Sequence, residues 1–280
     1  MSSAGMGSAG MGSAGVTGAG ARSVGPLEAT LRARREAGGK SLVAYLTGGF
    51  PGWQDMVRAA ADAGADAIEV GIPFSDPVMD GPVIQEASER ALAAGATPPA
   101  ILDELSRLDA GVPLAVMTYV NLVYRFGYER FAQEAKASGV SGVILPDLPL
   151  EESGEWTVAA DAAGIETVML AAPTAPDERL PRICARSHGF VYGVGLLGIT
   201  GERDALAASA TQIARRLKAV TDVPVLVGVG ISTPAQAVET CRVADGVVVG
   251  SAIVRRMVTD GTPESVAELV GAFRVALDDA

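Results

Sequence analysis

From Pro26 onward, short apolar runs alternate with longer segments whose apolar residues recur at every third or fourth position. The runs are brief and rich in Val, Ile and Leu, so they read as buried strands, and the longer segments read as amphipathic helices. The expected strands are Leu42–Leu46, Ala67–Val70, Leu114–Thr118, Val143–Leu145, Glu166–Leu170, Phe190–Val194, Val225–Val229 and Val247–Val249. Helical spacing marks Asp55–Ala63, Glu86–Ala94, Ala100–Leu108, Glu129–Ala137, Glu152–Ala163, Leu206–Ala219, Pro234–Cys241 and Glu264–Leu277. Eight strands separated by helices predict an α/β fold with a parallel sheet, and that count matches a single (β/α)8 TIM barrel. A doubly wound open sheet is the alternative. Its usual Gly-rich turn after the first strand is matched only poorly by Thr47-Gly-Gly-Phe-Pro51.

The first two dozen residues break the pattern by repeating a Ser-Ala-Gly-Met-Gly theme with no charge before Arg22. Such a segment buries too little apolar area to offset its chain entropy, so residues 1–25 are expected to be a disordered tail and 26–280 one catalytic barrel. No basic start followed by a continuous apolar run marks a signal peptide, and no stretch suggests a membrane span. A net charge of −11 with scattered Lys and Arg argues against nucleic acid or an anionic membrane as partner. Cys184 and Cys241 are too few for a disulfide framework, which fits the cytoplasm.

Candidate chemistry gathers at the strand ends. Alternation along 67–71 sets Ala67, Glu69 and Gly71 on one face and Ile68 and Val70 on the other, so Glu69 faces a barrel interior as an acid or base. A buried glutamate satisfied by backbone donors or an Arg is the competing reading. The seventh strand runs into Gly228-Val-Gly-Ile-Ser-Thr-Pro234 and the eighth into Gly250-Ser-Ala-Ile253. Each cluster alone is an ordinary turn, but both at these ends favour a phosphorylated ligand. Asp147 follows the fourth strand and Tyr119 the third; Asp147 is equally a candidate cap for a helix or turn. None of Lys40, Lys136 and Lys218 ends a strand, which disfavours a Schiff-base aldolase, and His188, the only histidine, disfavours a metal site. Acid/base chemistry by carboxylates, with no metal and no cofactor in this chain, is what remains.

The run Glu69-Val-Gly-Ile-Pro-Phe-Ser-Asp-Pro-Val-Met-Asp-Gly-Pro82 closely resembles the signature of the tryptophan synthase α chain. Met117-Thr-Tyr-Val-Asn121, Leu145-Pro-Asp-Leu-Pro149, Gly198-Ile-Thr-Gly201, Gly228-Val-Gly-Ile231 and Gly250-Ser-Ala252 follow in family order. The resemblance covers roughly Leu31 to Met257. It implies a TIM barrel that cleaves indole-3-glycerol phosphate to indole and glyceraldehyde 3-phosphate, within an αββα heterotetramer whose β chain carries PLP. It further implies Glu69 and Asp80 as the catalytic pair, with Asp147 and Thr200 holding loops in place. Tyr45, Met117, Tyr119, Ile144, Tyr192 and Val229 match the indole pocket, and Gly201, Gly228, Gly230, Gly250 and Ser251 the phosphate cradle. Gly195 stands where the family usually carries a polar residue, so lid closure after the sixth strand is expected to differ. Other readings are a free-standing indole-3-glycerol phosphate lyase and a non-catalytic barrel that only activates a β chain. An unrelated sugar-phosphate isomerase would not need the Pro73-Phe-Ser-Asp-Pro77 loop.

Overall fold

Eight parallel strands close on themselves in chain order in the computed structural model, which describes residues 24–195, 203–228 and 230–280. The strands are β1 (Ser41–Thr47), β2 (Ala67–Gly71), β3 (Leu114–Met117), β4 (Val140–Ile144), β5 (Glu166–Ala171), β6 (Val191–Gly193), β7 (Val225–Val227) and β8 (Gly246–Val249). β8 returns to pair with β1 at Ser41↔Gly246, so no edge strand is left. The TIM barrel expected from the pattern is therefore the fold. The tail expected over 1–25 falls almost wholly outside the described residues.

Both faces of each strand are covered, which is why the runs are apolar throughout rather than alternating. The alternation survives in what each side chain touches. On β5 to β7, Val168, Tyr192 and Leu226, with Phe190 just before β6, belong to the large core that includes the barrel interior. Their neighbours Met169, Ala171, Val191, Val225 and Val227 pack outward with Ile183, Cys184, Ile213 and Leu217.

Helix α1 (Pro26–Glu36) lies at the pole where the strands begin. It has no cap of its own beyond Pro26 at its first turn. Glu166, the first residue of β5, supplies the cap: Leu27 N–H and Glu28 N–H each donate to its carboxylate at 2.9 Å. Leu27 reaches the barrel floor, where a Cβ at Gly142 would stand 3.0 Å from its Cδ2. That packing explains why the apolar pattern marks β4 shorter than it is. Gly142 interrupts the apolar run, yet the strand needs a glycine there to admit α1.

The surrounding helices are α2 (Trp53–Asp62), α3 (Pro82–Ala93), α4 (Pro98–Ser106), α5 (Val120–Phe126), α6 (Tyr128–Ala137), α7 (Gly154–Ala163), α8 (Leu180–Arg186), α9 (Arg203–Lys218), α10 (Pro234–Cys241), α11 (Ser251–Thr259) and α12 (Pro263–Asp278). Every strand is thus followed by a helix. The sequence pattern marks none between β5 and β6, because α8 has only seven residues and a proline in its first turn. It also lacks α1, α5 and α11.

Candidate active site

β2 carries Glu69 inward at the level of Tyr45 on β1 and Ala115 on β3, its partners in the sheet register. Glu69 is 1% exposed, and neither carboxylate oxygen has a hydrogen-bond partner among the described residues. Among the described residues, no backbone donor or Arg satisfies this glutamate, as the competing reading would require. Without compensation, burial disfavours the charged form, and the nearby Asp80 carboxylate adds to this; together they push the Glu69 pKa up to about 8. At neutral pH the group holds its proton.

Above Glu69 is a cavity of about 410 Å3 at the strand C-termini. Of the residues expected at the site, Tyr45, Glu69, Asp80, Met117, Ile144, Tyr192, Gly228, Gly230, Gly250 and Ser251 line it together. Thr200, Gly201 and Val229 lie outside the described residues, as does most of the lid after β6. The sequence reading missed, among others, Met79, Ile84, Pro146, Leu170, Pro173 and Val194, which also line the cavity. Leu170 and Pro146 were discoverable in principle, since each sits at or just past a strand end.

Two tyrosines shape the interior by occupying space that glycines leave. A Cβ at Gly71 would overlap the Tyr45 hydroxyl, and one at Gly228 would overlap that of Tyr192. Gly228 thus has a packing reason to be glycine, separate from any anion. Gly230 has φ +88°, a backbone conformation that excludes most side chains. Gly250 differs: a Cβ there would meet Tyr45 Cβ at 3.7 Å and Ile84 Cδ1 at 3.8 Å, ordinary contacts. Gly250 and Ser251 open α11, whose first-turn N–H groups are left without intrahelical acceptors.

Asp80 stands half-buried on the loop between β2 and α3. Its backbone carbonyl accepts from Gln85 Nε2 at 2.8 Å, which fixes the loop to the helix it enters. Burial raises the Asp80 pKa, and a hydrogen bond from Tyr119 opposes the rise. Two expected site residues do not line the cavity. Tyr119, 3% exposed, lies behind the loop with its hydroxyl accepting from Met79 N–H at 3.0 Å. Asp147 accepts from Val120 N–H at 2.9 Å and so caps α5, which makes the capping alternative correct, though the helix belongs to the preceding βα unit.

The lysines and the histidine stay away from the chemistry. Lys40 donates to Ala244 O, Lys136 to Gly164 O and Lys218 to Asp245. His188 precedes β6, its N–H on Thr167 O and its ring Nε2 3.4 Å from Arg186 Nη1.

A profile of the tryptophan synthase alpha chain matches residues 29–276. The alpha chain of Streptomyces coelicolor is 46% identical over 257 residues, covering 90% of this chain and 94% of that one. The alpha chain of Thermobifida fusca is 43% identical over 258 residues, covering 90% and 96%. Among solved structures, Mycobacterium tuberculosis tryptophan synthase superposes with a TM-score of 0.84 at 35% identity, covering 91% of this chain and 99% of that one. The Legionella pneumophila alpha subunit gives 0.83 at 32% identity, covering 92% and 100%. A matching profile along nearly the whole barrel, relatives of matching length, and two inward carboxylates on one apolar slot agree with one another: this chain belongs to the tryptophan synthase alpha chain family.

Proposed function

We propose that this chain cleaves indole-3-glycerol phosphate to indole and glyceraldehyde 3-phosphate, the α-chain step of L-tryptophan biosynthesis. The observation that carries this reading is Glu69, a buried carboxyl with no partner among the described residues that keeps its proton at neutral pH beside a second acid. A retro-aldol cleavage of this substrate needs a proton delivered to the indole carbon that bears the side chain. Neutral Glu69 donates it. Positive charge then develops on the indole nitrogen, where the Asp80 carboxylate stabilises it. As the carbon–carbon bond breaks, the electron pair returns to the indole ring, and the Glu69 carboxylate takes the proton from the glycerol hydroxyl that becomes the aldehyde. Indole and glyceraldehyde 3-phosphate result, with Glu69 protonated again. Nothing in this sequence needs a cofactor in this chain, and the cytoplasm is the setting it implies. Among the described residues no helix is long and apolar enough to cross a membrane.

The walls support an aromatic slot: Tyr45, Met117, Ile144 and Tyr192 present large apolar surface with few polar groups. The first turn of α11 supports the phosphate end. Gly250→Ala adds a methyl that the protein itself has room for, so melting is expected to change little. Affinity for glycerol 3-phosphate is expected to fall about tenfold, or ~1.4 kcal/mol. Calorimetry showing unchanged affinity would remove Gly250 from the cradle. Gly230→Ala is a poorer test, since its strained φ would confound binding with folding.

An exposed apolar rim supports a protein partner. Val78 is 73% exposed and Tyr124 67%, on the loop after β2 and on α5 after β3. Such residues beside an active-site mouth suit docking of a β chain, the PLP-bearing partner, in an αββα heterotetramer. Pressing on the loop that carries Asp80 would complete the site. Indole release by the purified chain is therefore expected to rise ~10-fold or more across a β-chain titration, a coupling of roughly 1.4 kcal/mol. Fast basal turnover with a flat titration would instead favour the free-standing lyase. No indole release under either condition would overturn the reading as an enzyme and leave a barrel that only activates its partner.

A further inference from the structure

Tyr119 is one of the site residues expected in the indole pocket, yet it lies outside the walls of the cavity. Its contacts run to the loop that carries Asp80, at two points. The ring packs on Phe74, with centroids 5.2 Å apart and planes tilted by 34°. The hydroxyl accepts from the N–H of Met79, the residue immediately before Asp80, at 3.0 Å. Tyr119 is itself fixed, because it is the N-cap residue of α5 and the next N–H, that of Val120, is held by Asp147. Three consecutive βα loops are thereby linked in series, from Asp147 after β4, through Tyr119 after β3, to Met79 and Asp80 after β2.

We propose that Tyr119 is a positioning residue for Asp80: its ring and hydroxyl clamp both arms of the 73–80 loop, and its hydroxyl proton is directed at the Asp80 carboxylate. The inference rests on and deepens the proposed lyase reading, since the Tyr119 hydroxyl favours the charged form of the acid that would face the indole nitrogen. The hydroxyl can serve both contacts, because one lone pair accepts from Met79 N–H while the single O–H donates. Among the described residues the groups facing Asp80 are Glu69 on β2, Tyr45 on β1, Tyr192 on β6 and Tyr119 itself, and none of these is cationic. Burial therefore works against the carboxylate, and the Tyr119 hydroxyl is the contact that opposes it. A single O–H at this place thus acts on one of two neighbouring acids, opposing at Asp80 the burial that at Glu69 meets no opposing hydrogen bond among the described residues.

The test is Tyr119→Phe in the full chain, which keeps the ring on Phe74 and removes only the hydroxyl. Two readouts are needed. In indole-3-glycerol phosphate cleavage, kcat is expected to fall about tenfold or more, the scale of a lost hydrogen bond to a charged group. KM should stay within about twofold, and the acidic limb of the kcat/KM profile should move to higher pH. A rise in KM at unchanged kcat, with the limb unmoved, would make Tyr119 a pocket wall and overturn the proposal. The second readout needs no turnover: titration of the Asp80 carboxyl carbon by NMR in the ligand-free chain, assigned through Asp80→Asn. Its midpoint should move upward in Tyr119→Phe, and an unmoved midpoint would overturn the proposal whatever the kinetics. An upward move in a chain whose wild type releases no indole would support the Tyr119–Asp80 link and count against the lyase reading alone.

Discussion

Glu69→Gln is expected to lower indole release by at least ~10²-fold while substrate affinity changes little, because the amide keeps the shape of the carboxyl and cannot exchange the proton. The pH dependence should identify the same group. With a pKa of about 8, the proton-donating form of Glu69 is available below that value and lost above it, so kcat/KM should fall on the alkaline side with a midpoint about 8. Stability carries a matching signature of opposite benefit. The folded pKa lies above the ordinary 4.5, so between these values the folded state holds a proton that the unfolded state has released. Stability therefore falls as pH rises through that window, by ~1.36 kcal/mol for each pH unit crossed. Glu69→Gln escapes the penalty. Its melting temperature should match that of wild type near pH 4 and exceed it by several degrees at pH 8. Turnover within a few-fold of wild type, or no difference in melting across that range, would remove Glu69 from the centre of the mechanism.

Asp80→Asn should cost a comparable amount, on the order of 10²–10³-fold in kcat, since a fixed charge opposite a developing charge is among the largest single contributions to catalysis. Its effects should differ in kind. The Asp80 side chain contributes no proton in the proposed steps, so the variant should lose rate while keeping the alkaline limb set by Glu69, displaced to lower pH because the Asp80 charge no longer raises the Glu69 pKa. Single-turnover release of indole across pH 6–9 separates the two residues. A variant that loses the alkaline limb along with its rate would show that the roles are shared between the acids rather than divided.

Glu69 was legible because it sits inside a strand, where the period of two holds and each neighbour's face is known. Tyr119 was not, for a reason visible at the same place in the next unit. Ala115 and Met117 alternate correctly on β3, but the strand ends at Met117 and the chain turns into α5 with Tyr119 as its N-cap. The alternation that would have aimed Tyr119 inward no longer applies two residues past the strand. Asp147 failed to declare its partner for another reason, since the N–H it accepts lies 27 residues earlier in the chain. Gly228 reads as a glycine for an anion because glycine-rich ends of late barrel strands often serve that purpose. The hydroxyl of Tyr192, which needs the same vacant space, is a contact between two strands that no local pattern encodes. The barrel itself was legible from its strand count, while its floor was not. The fit of Leu27 against Gly142 depends on tertiary packing across more than a hundred residues of sequence.

That floor determines how the molecule can be attached to anything else. The chain enters at Gly25, against the first residue of β5, and α12 leaves beside α1, where Arg34 pairs with Asp278. Among the described residues, the start of α1 and the end of α12 therefore lie on the face where the strands start, opposite the mouth above Glu69 and Asp80. A support, a fluorescent label or a fused enzyme joined at the end of α12 would hold the barrel upright with its opening outward, leaving substrate entry unobstructed.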